Sequence, residues 1–495
     1  MKSKAKIVIR RQNNFFYSFA DSNNDGKRFV AKALSFPNPS PYAYSPYIRM
    51  FDRRLFQFRI GMLRTVISKA REHNIPIQIE DQEYGLPKNV RIDTRLCTPD
   101  RNYQQNAVEN FFDNRFGILK VPTRGGKTFI AAEIVRIFLA TESGQVCFVV
   151  DSVTLFQQAY DDFTKYFANY GGIDIGEIKA GQVDTSKRFT LAMRQTLQSQ
   201  LLRKNTKHKR ELNKYWRNLQ FLIVDEIHDN CSDACLKLYK QALKLDYQLC
   251  LSATPYRQET YQQNLKLQAW SGDIIYEITE ETLRRKGVLS DYKVFLIAVD
   301  HNHIDYDIQV EDYAEYRQKL IFESNVRNRA LDYAIRLLNY LQIKTLVLFT
   351  SVEHGNIISQ QTHQPFISGS TKNSDREKAK QEFLHKKGGV LLASNIFKKG
   401  VTLPECQAVI LADEGLEAAQ IIQKKGRVLG VTANKNRSVV IDFIDIFDLY
   451  FSEHSEARLN TYVEQIGEDN VGILDVTAED FKPTLEKWIR RWFNV

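Results

Sequence analysis

The sequence predicts an α/β protein with two doubly wound parallel-sheet lobes in tandem, preceded by a small α+β domain. Three observations lead to this. Short, wholly apolar runs alternate with segments of helix length, as buried parallel strands alternate with their crossover helices. These runs form two series, one on either side of about residue 285. The first 96 residues follow another pattern and carry the charge excess, with 18 Lys/Arg against 8 Asp/Glu, while the rest balances at 51 of each sign.

The amino-terminal segment, 1–96, has globular content of its own. Leu55 to Ile60 alternates like a strand, Ile75 to Ile79 does the same, and Leu63, Val66, Ile67 and Ala70 keep helical spacing. Phe15, Phe16, Tyr17 and Phe19 could stack on bases but are expected in a core, because so small a domain needs large side chains to fold. A basic module beside a neutral body suggests a polyanion-binding unit, most commonly for nucleic acid, against the blander reading of a soluble basic domain. Arg53, Arg54 and Arg59 are its candidate contacts.

Composition excludes several classes. The chain has 495 residues and a net charge of +10, with 43% hydrophobic and 26% charged residues, which rules out a disordered or collagen-like chain. Runs such as Val146–Val150 fall far short of the roughly 18 residues of a membrane span. The basic start is followed by no long apolar stretch, so no secretory signal is expected. Six cysteines without a C-x-x-C pair point to a reduced, cytoplasmic protein lacking a disulfide framework or zinc knuckle.

In the first lobe, 97–285, strands are expected at Gly117–Val121, Val146–Val150, Phe189–Ala192, Phe221–Val224 and Leu249–Ser252. In the second, 286–450, they are expected at Lys293–Ile297, Thr345–Phe349, Val390–Ala393, Ala408–Leu411 and Ser438–Ile441. Residues 451–495 read as a helical tail whose Leu485, Trp488, Ile489 and Trp492 form one face, docking on the second lobe. Arg203 to Arg217 holds seven Lys/Arg and one Glu, and both a solvated helix and a phosphate-backbone contact suit it.

Doubly wound sheets bind ligands at the carboxyl ends of their strands, so residues just after a strand matter most. After Val121 comes Pro122-Thr123-Arg124-Gly125-Gly126-Lys127-Thr128, then an apolar helix. Paired glycines let backbone N–H groups turn in around a phosphate chain at a helix N-terminus. Lys127 would reach the β- and γ-phosphates and the Thr128 hydroxyl would sit on Mg²⁺. Asp225-Glu226-Ile227-His228 follows another strand. There Asp225 would hold the ion and Glu226 would polarise the attacking water. His228, with Ser252 and Thr254 after the next strand, looks like a coupling element. The alternative for the first loop is a glycine-rich turn of no special function.

These motifs, in order from Arg101 to Ile444, resemble the superfamily 2 DExH helicases. Within them the likeness is to the UvsW and XPB group, through Ala393-Ser394, Gly400-Val401-Thr402 and Gly426-Arg427-Val428-Leu429. The resemblance implies RecA-like lobes. It implies an adenine-reading element at Arg101, Tyr103 and Gln104, and nucleotide contacts from Thr123, Gly125, Gly126 and Gly400. It implies catalytic roles for Gln423 and Arg427, and nucleic-acid contacts at Ser152, Arg194, Gln195, Gly369 and Ser394. ATP and Mg²⁺ follow as cofactors, with branched or junction DNA as partner.

The implied activity is ATP-dependent helicase or translocase work on branched DNA: branch migration, fork regression and unwinding of R-loops or D-loops. RNA in R-loops would be a second partner, the state a monomer, and the place the cytoplasm, that of the host if phage-encoded. Alternatives are a restriction or defence motor subunit, a weakly hydrolysing annealing protein, and an RNA helicase. The chain departs from the family pattern at Val121, at Arg124 in the phosphate loop, at Thr402, and at Gly430, where a second arginine is usual.

Overall fold

The computed structural model describes residues 5–13, 16–39, 44–81, 85–87, 91–93, 95, 98–203, 206–256, 261–301, 315, 317–394, 405–413, 431, 436–446 and 449–495. Contacts divide the chain into two units, Met1–Pro122 with Gly126–Ile278, and Thr123–Gly125 with Thr279–Val495. The amino-terminal segment therefore belongs with the first lobe. No helix among the described residues is long and apolar enough to cross a membrane.

The amino-terminal sheet comprises β1 (Ile7–Asn13), β2 (Phe16–Ser18), β5 (Phe51–Asp52), β6 (Gln57–Arg59) and β7 (Ile77–Glu80), in the order β5-β6-β2-β1-β7. A separate two-stranded ribbon pairs β3 (Ser35–Pro37) with β4 (Tyr47–Arg49). Helices α1 (Asn24–Ala33) and α2 (Leu63–Glu72) cover the sheet, and Tyr17, Phe19, Phe58, Val30 and Val66 fill its core. Ala269 of the first lobe completes that core. Gly61 makes this seam possible, because a Cβ there would lie 1.8 Å from the Gln268 carbonyl oxygen. Arg64 adds an ion pair to Asp273 at 3.3 Å. Tyr17 and Phe19 are thus core as expected; Phe16 is not, being half-buried with Arg59 over its ring, and Phe15 lies outside the described residues.

The first lobe is built in chain order from α3 (Asn102–Asn114), β8 (Phe116–Lys120), α4 (Lys127–Thr141), β9 (Val146–Val150) and α5 (Val153–Phe167). It continues with β10 (Ile175–Lys179), β11 (Gln182–Val183), β12 (Phe189–Met193), α6 (Arg194–Leu202), α7 (Lys209–Asn218) and β13 (Phe221–Val224). It closes with α8 (Asp233–Tyr239), β14 (Tyr247–Ser252), α9 (Tyr261–Ser271) and β15 (Ile274–Glu277). The sheet order is β11-β10-β12-β9-β13-β14-β8-β15, parallel throughout except at β11. All five expected strands are present. From Lys209 onward the basic run forms α7, which is not merely solvated: Leu212, Tyr215 and Trp216 anchor it in the lobe core.

The second lobe orders its strands β18-β19-β17-β20-β21-β16-β22. These are β16 (Asp291–Asp300), β17 (Thr345–Phe349), β18 (Phe366–Ile367), β19 (Val390–Ser394), β20 (Ala408–Leu411), β21 (Arg437–Ile446) and β22 (Val471–Asp475). The tail, expected as purely helical, contributes β22 to this sheet beside β16. Gly472 permits it, since a Cβ there would lie 2.4 Å from the Trp488 ring. Leu485 and Ile489 of helix Phe481–Phe493 are buried in the same core, with Trp488 and Trp492 packed on it.

A buried polar cluster ties the carboxyl ends of β17 and β20 together. The Asp413 carboxylate accepts from the Thr350 and Ser351 backbone N–H groups, the latter at 2.8 Å, and pairs with His354. His354 in turn meets the Asn328 side-chain oxygen at 2.9 Å. Burial pushes the Asp413 carboxyl up, but His354 and these donors outweigh it and hold it at about 2. The folded-state value lies below the usual 3.8, so its stabilisation is complete above that pH and lost as pH falls toward 2. A shift of this size corresponds to about 2 kcal/mol. Asp413→Asn is therefore expected to lower the thermal midpoint at pH 7 and to flatten acid unfolding between about pH 4 and 2. Circular dichroism melts across that range check it.

Candidate active site

The first lobe gathers its candidate residues on the carboxyl ends of its strands. The phosphate loop follows β8, Asp225 to His228 follow β13, and Ser252 ends β14, which lies between the other two. Neighbouring strands stand about 4.8 Å apart, so β8 and β13 are close enough for side chains to meet above β14. They do meet: Lys127 Nζ lies 3.0 Å from Glu226 Oε1, in a pair whose side chains are 12% and 19% exposed.

The loop itself is shaped by left-handed backbone. Gly126, just before α4, has φ +82°, and a Cβ there would lie 2.3 Å from Gln104 Nε2. Gln104, on α3, is 3% exposed and donates to the Tyr103 hydroxyl at 3.2 Å. Burial raises the Tyr103 phenol. The expected adenine-reading side chain thus sits against the glycine turn, and Arg101 at the start of α3 pairs with Asp100 at 3.4 Å. Arg124 has φ +66°, the region that favours glycine, so the family's usual residue there has a conformational reason. Thr123 and Gly125 flank it, and Thr128 is the second residue of α4.

Glu226 is also left-handed, at φ +44°. Its Oε1 holds Lys127, and its buried Oε2 has no hydrogen-bond partner among the described residues, with His228 Nδ1 3.5 Å away. The Glu226 backbone N–H donates to Asp225 Oδ1 at 3.0 Å, and Asn230 Nδ2 donates to the Asp225 carbonyl at 2.7 Å. His228 Nδ1 lies 2.9 Å from Ser252 Oγ, which also accepts from the Thr254 N–H at 3.0 Å. One hydroxyl therefore joins the loop after β13 to the one after β14. The sequence reading groups His228 with Ser252 and Thr254, whereas it does not single out Asn230, whose contact lies within its own loop. For Mg²⁺, the Thr128 hydroxyl and Asp225 carboxylate are the hard oxygen donors such an ion takes, and they fit it.

The expected nucleic-acid contacts divide. Ser152 caps α5, accepting from the Leu155 N–H at 3.2 Å. Arg194 Nε and Gln195 Nε2 both donate to Asp151, at 2.8 Å to Oδ1 and 2.6 Å to the carbonyl, linking the ends of β9 and β12. In the second lobe Gly369 lies in an open turn and its carbonyl accepts from Arg376, while Ser394 ends β19. Arg53 and Arg54 are exposed in the turn between β5 and β6, and Arg59 covers the Phe16 ring at 4.7 Å. Gly400, Gln423 and Arg427, with Thr402 and Gly430, lie outside the described residues.

Gly126→Ala adds a methyl where both the φ angle and Gln104 oppose it. It is expected to weaken ATP binding at least ~10-fold, the cost of about 1.4 kcal/mol of displaced loop, as read by titration with a fluorescent ATP analogue.

Comparison with known proteins agrees with this arrangement. Residues 98–257 match the family described as "Type III restriction enzyme, res subunit", and residues 327–430 match "Helicase conserved C-terminal domain". A putative helicase of Sulfolobus islandicus filamentous virus is 25% identical, over 71% of this chain and 65% of the viral protein. The chain therefore spans about two thirds of that relative's length. The DNA 3'-5' translocase XPB2 of Sulfurisphaera tokodaii is 26% identical, over 66% of this chain and 78% of its own. The ATP-dependent DNA helicase uvsW of Enterobacteria phage T4 is 23% identical, over 69% and 68%. With the motif order and the parallel RecA-like sheets, these matches show a chain carrying two helicase-type domains, similar to the XPB-like and UvsW helicases of superfamily 2.

Proposed function

We propose that this chain is an ATP-driven DNA helicase or translocase. The observation that carries the reading is the Lys127–Glu226 pair, set beside a glycine turn on the carboxyl ends of a parallel sheet. Lys127 would exchange Glu226 for the β- and γ-phosphates of ATP. That exchange frees a carboxylate, already short of one hydrogen-bond partner, to orient and deprotonate the attacking water. Gln104 and Tyr103, with Arg101, would hold the adenine, and Thr123, Gly125 and Gly126 the phosphates.

Thr128 and Asp225 would hold Mg²⁺, which when bound neutralises charge on the phosphates. The His228–Ser252–Thr254 link supports a coupling role, because movement of the loop carrying Glu226 must displace the loop after β14. Gln423, Arg427 and Gly400 keep the roles the motif resemblance implies. On nucleic acid, Ser152, Arg194, Gln195, Gly369 and Ser394 would follow the backbone. Branched DNA is the proposed substrate, through branch migration, fork regression and R-loop or D-loop unwinding. This rests on the UvsW-like motifs between Ala393 and Leu429.

The restriction-type description of residues 98–257 favours a second reading, a motor subunit of a restriction complex. Turnover measured with single-stranded, duplex, forked and four-way DNA separates the two. Forked or four-way DNA is expected to stimulate most, whereas equal stimulation by plain duplex favours the restriction motor. Lys127→Ala is expected to cut DNA-stimulated turnover at least ~10²-fold while DNA binding stays within about twofold of wild type. Turnover left intact by that substitution removes the assigned site.

A further inference from the structure

The amino-terminal sheet and the first lobe enclose a cleft of about 900 Å³, which the motor mechanism does not use. One wall carries Arg49 and Arg59 from the amino-terminal segment, and the other carries Lys237 and Lys240 from α8 and its C-cap. Two acids share the lining, and both are engaged. Asp52 accepts from the Arg54 and Leu55 backbone N–H groups at 2.7 and 3.0 Å, and Asp233 pairs with Lys266 at 2.9 Å. Among the described residues none of the four cations has a carboxylate partner, and Arg59 rests only on the Phe16 ring.

Burial pushes the Arg59 guanidinium down to about 10, and burial followed by the Arg59 charge lowers Lys240. Arg59 is half-buried and Lys240 exposed, so the two like charges repel across the cleft with only Asp233 among the described residues opposing them, and an anion between them would remove the repulsion. Trp270, also in the lining, is 2% exposed, and its indole Nε1–H has no acceptor among the described residues.

We propose that this cleft is a further nucleic-acid site, taking a phosphodiester strand whose phosphates lie on Arg49, Arg59, Lys237 and Lys240. The cleft lies toward the upper end of the ~300–1,000 Å³ range of ligand pockets, more room than inorganic phosphate would fill. Its apolar lining at Phe51, which is half-buried, suits sugars and base faces, and its cations suit the backbone between them. Of the three arginines expected to touch DNA, only Arg59 lines it. A strand held here would tie the amino-terminal sheet to α8, whose first residue lies five positions beyond His228. The site rests on the DNA-motor reading and extends it to a surface that neither domain forms alone.

The test uses the full chain without nucleotide and a labelled single-stranded oligonucleotide, titrated at several salt concentrations. Lys237→Glu with Lys240→Glu is expected to weaken binding ~10-fold or more and to reduce the salt slope by about 1–2. Lys237→Arg with Lys240→Arg keeps wild-type affinity, and Arg49→Glu, at an exposed position, supplies a second charge reversal. Unchanged melting curves establish that the variants fold. Wild-type affinity and slope in both charge-reversal variants overturn the proposal. So does displacement of the oligonucleotide by pyrophosphate at equal concentration, which makes the cleft a small-anion site. Lys127→Ala turnover reads the motor separately: if it is undiminished while charge reversal weakens binding, the motor reading fails and the cleft stands.

Discussion

A lysine and a glutamate meeting above an intervening strand is the contact on which the first lobe's chemistry depends. Lys127 and Glu226 are far apart in sequence, and the order β13-β14-β8 brings them within 3.0 Å. Register makes the approach possible: Val224 pairs with Cys250, and Ser252 pairs with Lys120, so the three strands end on the same edge. A sheet that placed β8 elsewhere would leave both charges without a partner in a half-buried crevice, where unpaired charges are costly. The pair also explains why two residues of the site tolerate left-handed backbone. Glu226 and Gly126 turn sharply because the side chain and the loop must face one another over a short span.

Much of this was legible in the amino-acid sequence. The strands with continuous apolar runs, such as Val146–Val150 and Phe221–Val224, are flanked on both sides by other strands and covered by helices, and a wholly buried strand has no polar position to break the run. In the two lobes the unread strands lie toward sheet margins, whereas the unread β1 and β2 of the amino-terminal sheet are interior. Ile175–Lys179 alternates, Ile274–Glu277 is half-exposed on an edge, and Val471–Asp475 holds a glycine that gives way to Trp488. Their solvated positions erase the signal that identifies central strands.

The candidate site divides along the same line. Residues whose roles follow from chain order, such as Lys127 and Asp225, were named from spacing. His228 was grouped with Ser252 and Thr254 on the same ground, but the hydroxyl they share needs the sheet assembled, as does Gln104 against Gly126. Asn230 under Asp225 is a contact within one loop that spacing does not mark. The cleft lined by Arg59 and Lys240 is the extreme case, because its two walls come from segments about 180 residues apart. Charge counting placed the positive excess in the first 96 residues, but the lysines facing it come from the electrically balanced remainder.

The central claim is that Glu226 exchanges its lysine for a role in hydrolysis when ATP arrives. Glu226→Gln separates the two functions, since the amide fills the same volume and cannot take a proton. ATP-analogue binding and DNA-stimulated turnover, measured on the same preparation, test it most directly. The account predicts ATP affinity at or above the wild-type value with turnover reduced at least ~10²-fold. A Glu226→Gln protein that hydrolyses ATP at the wild-type rate would contradict it.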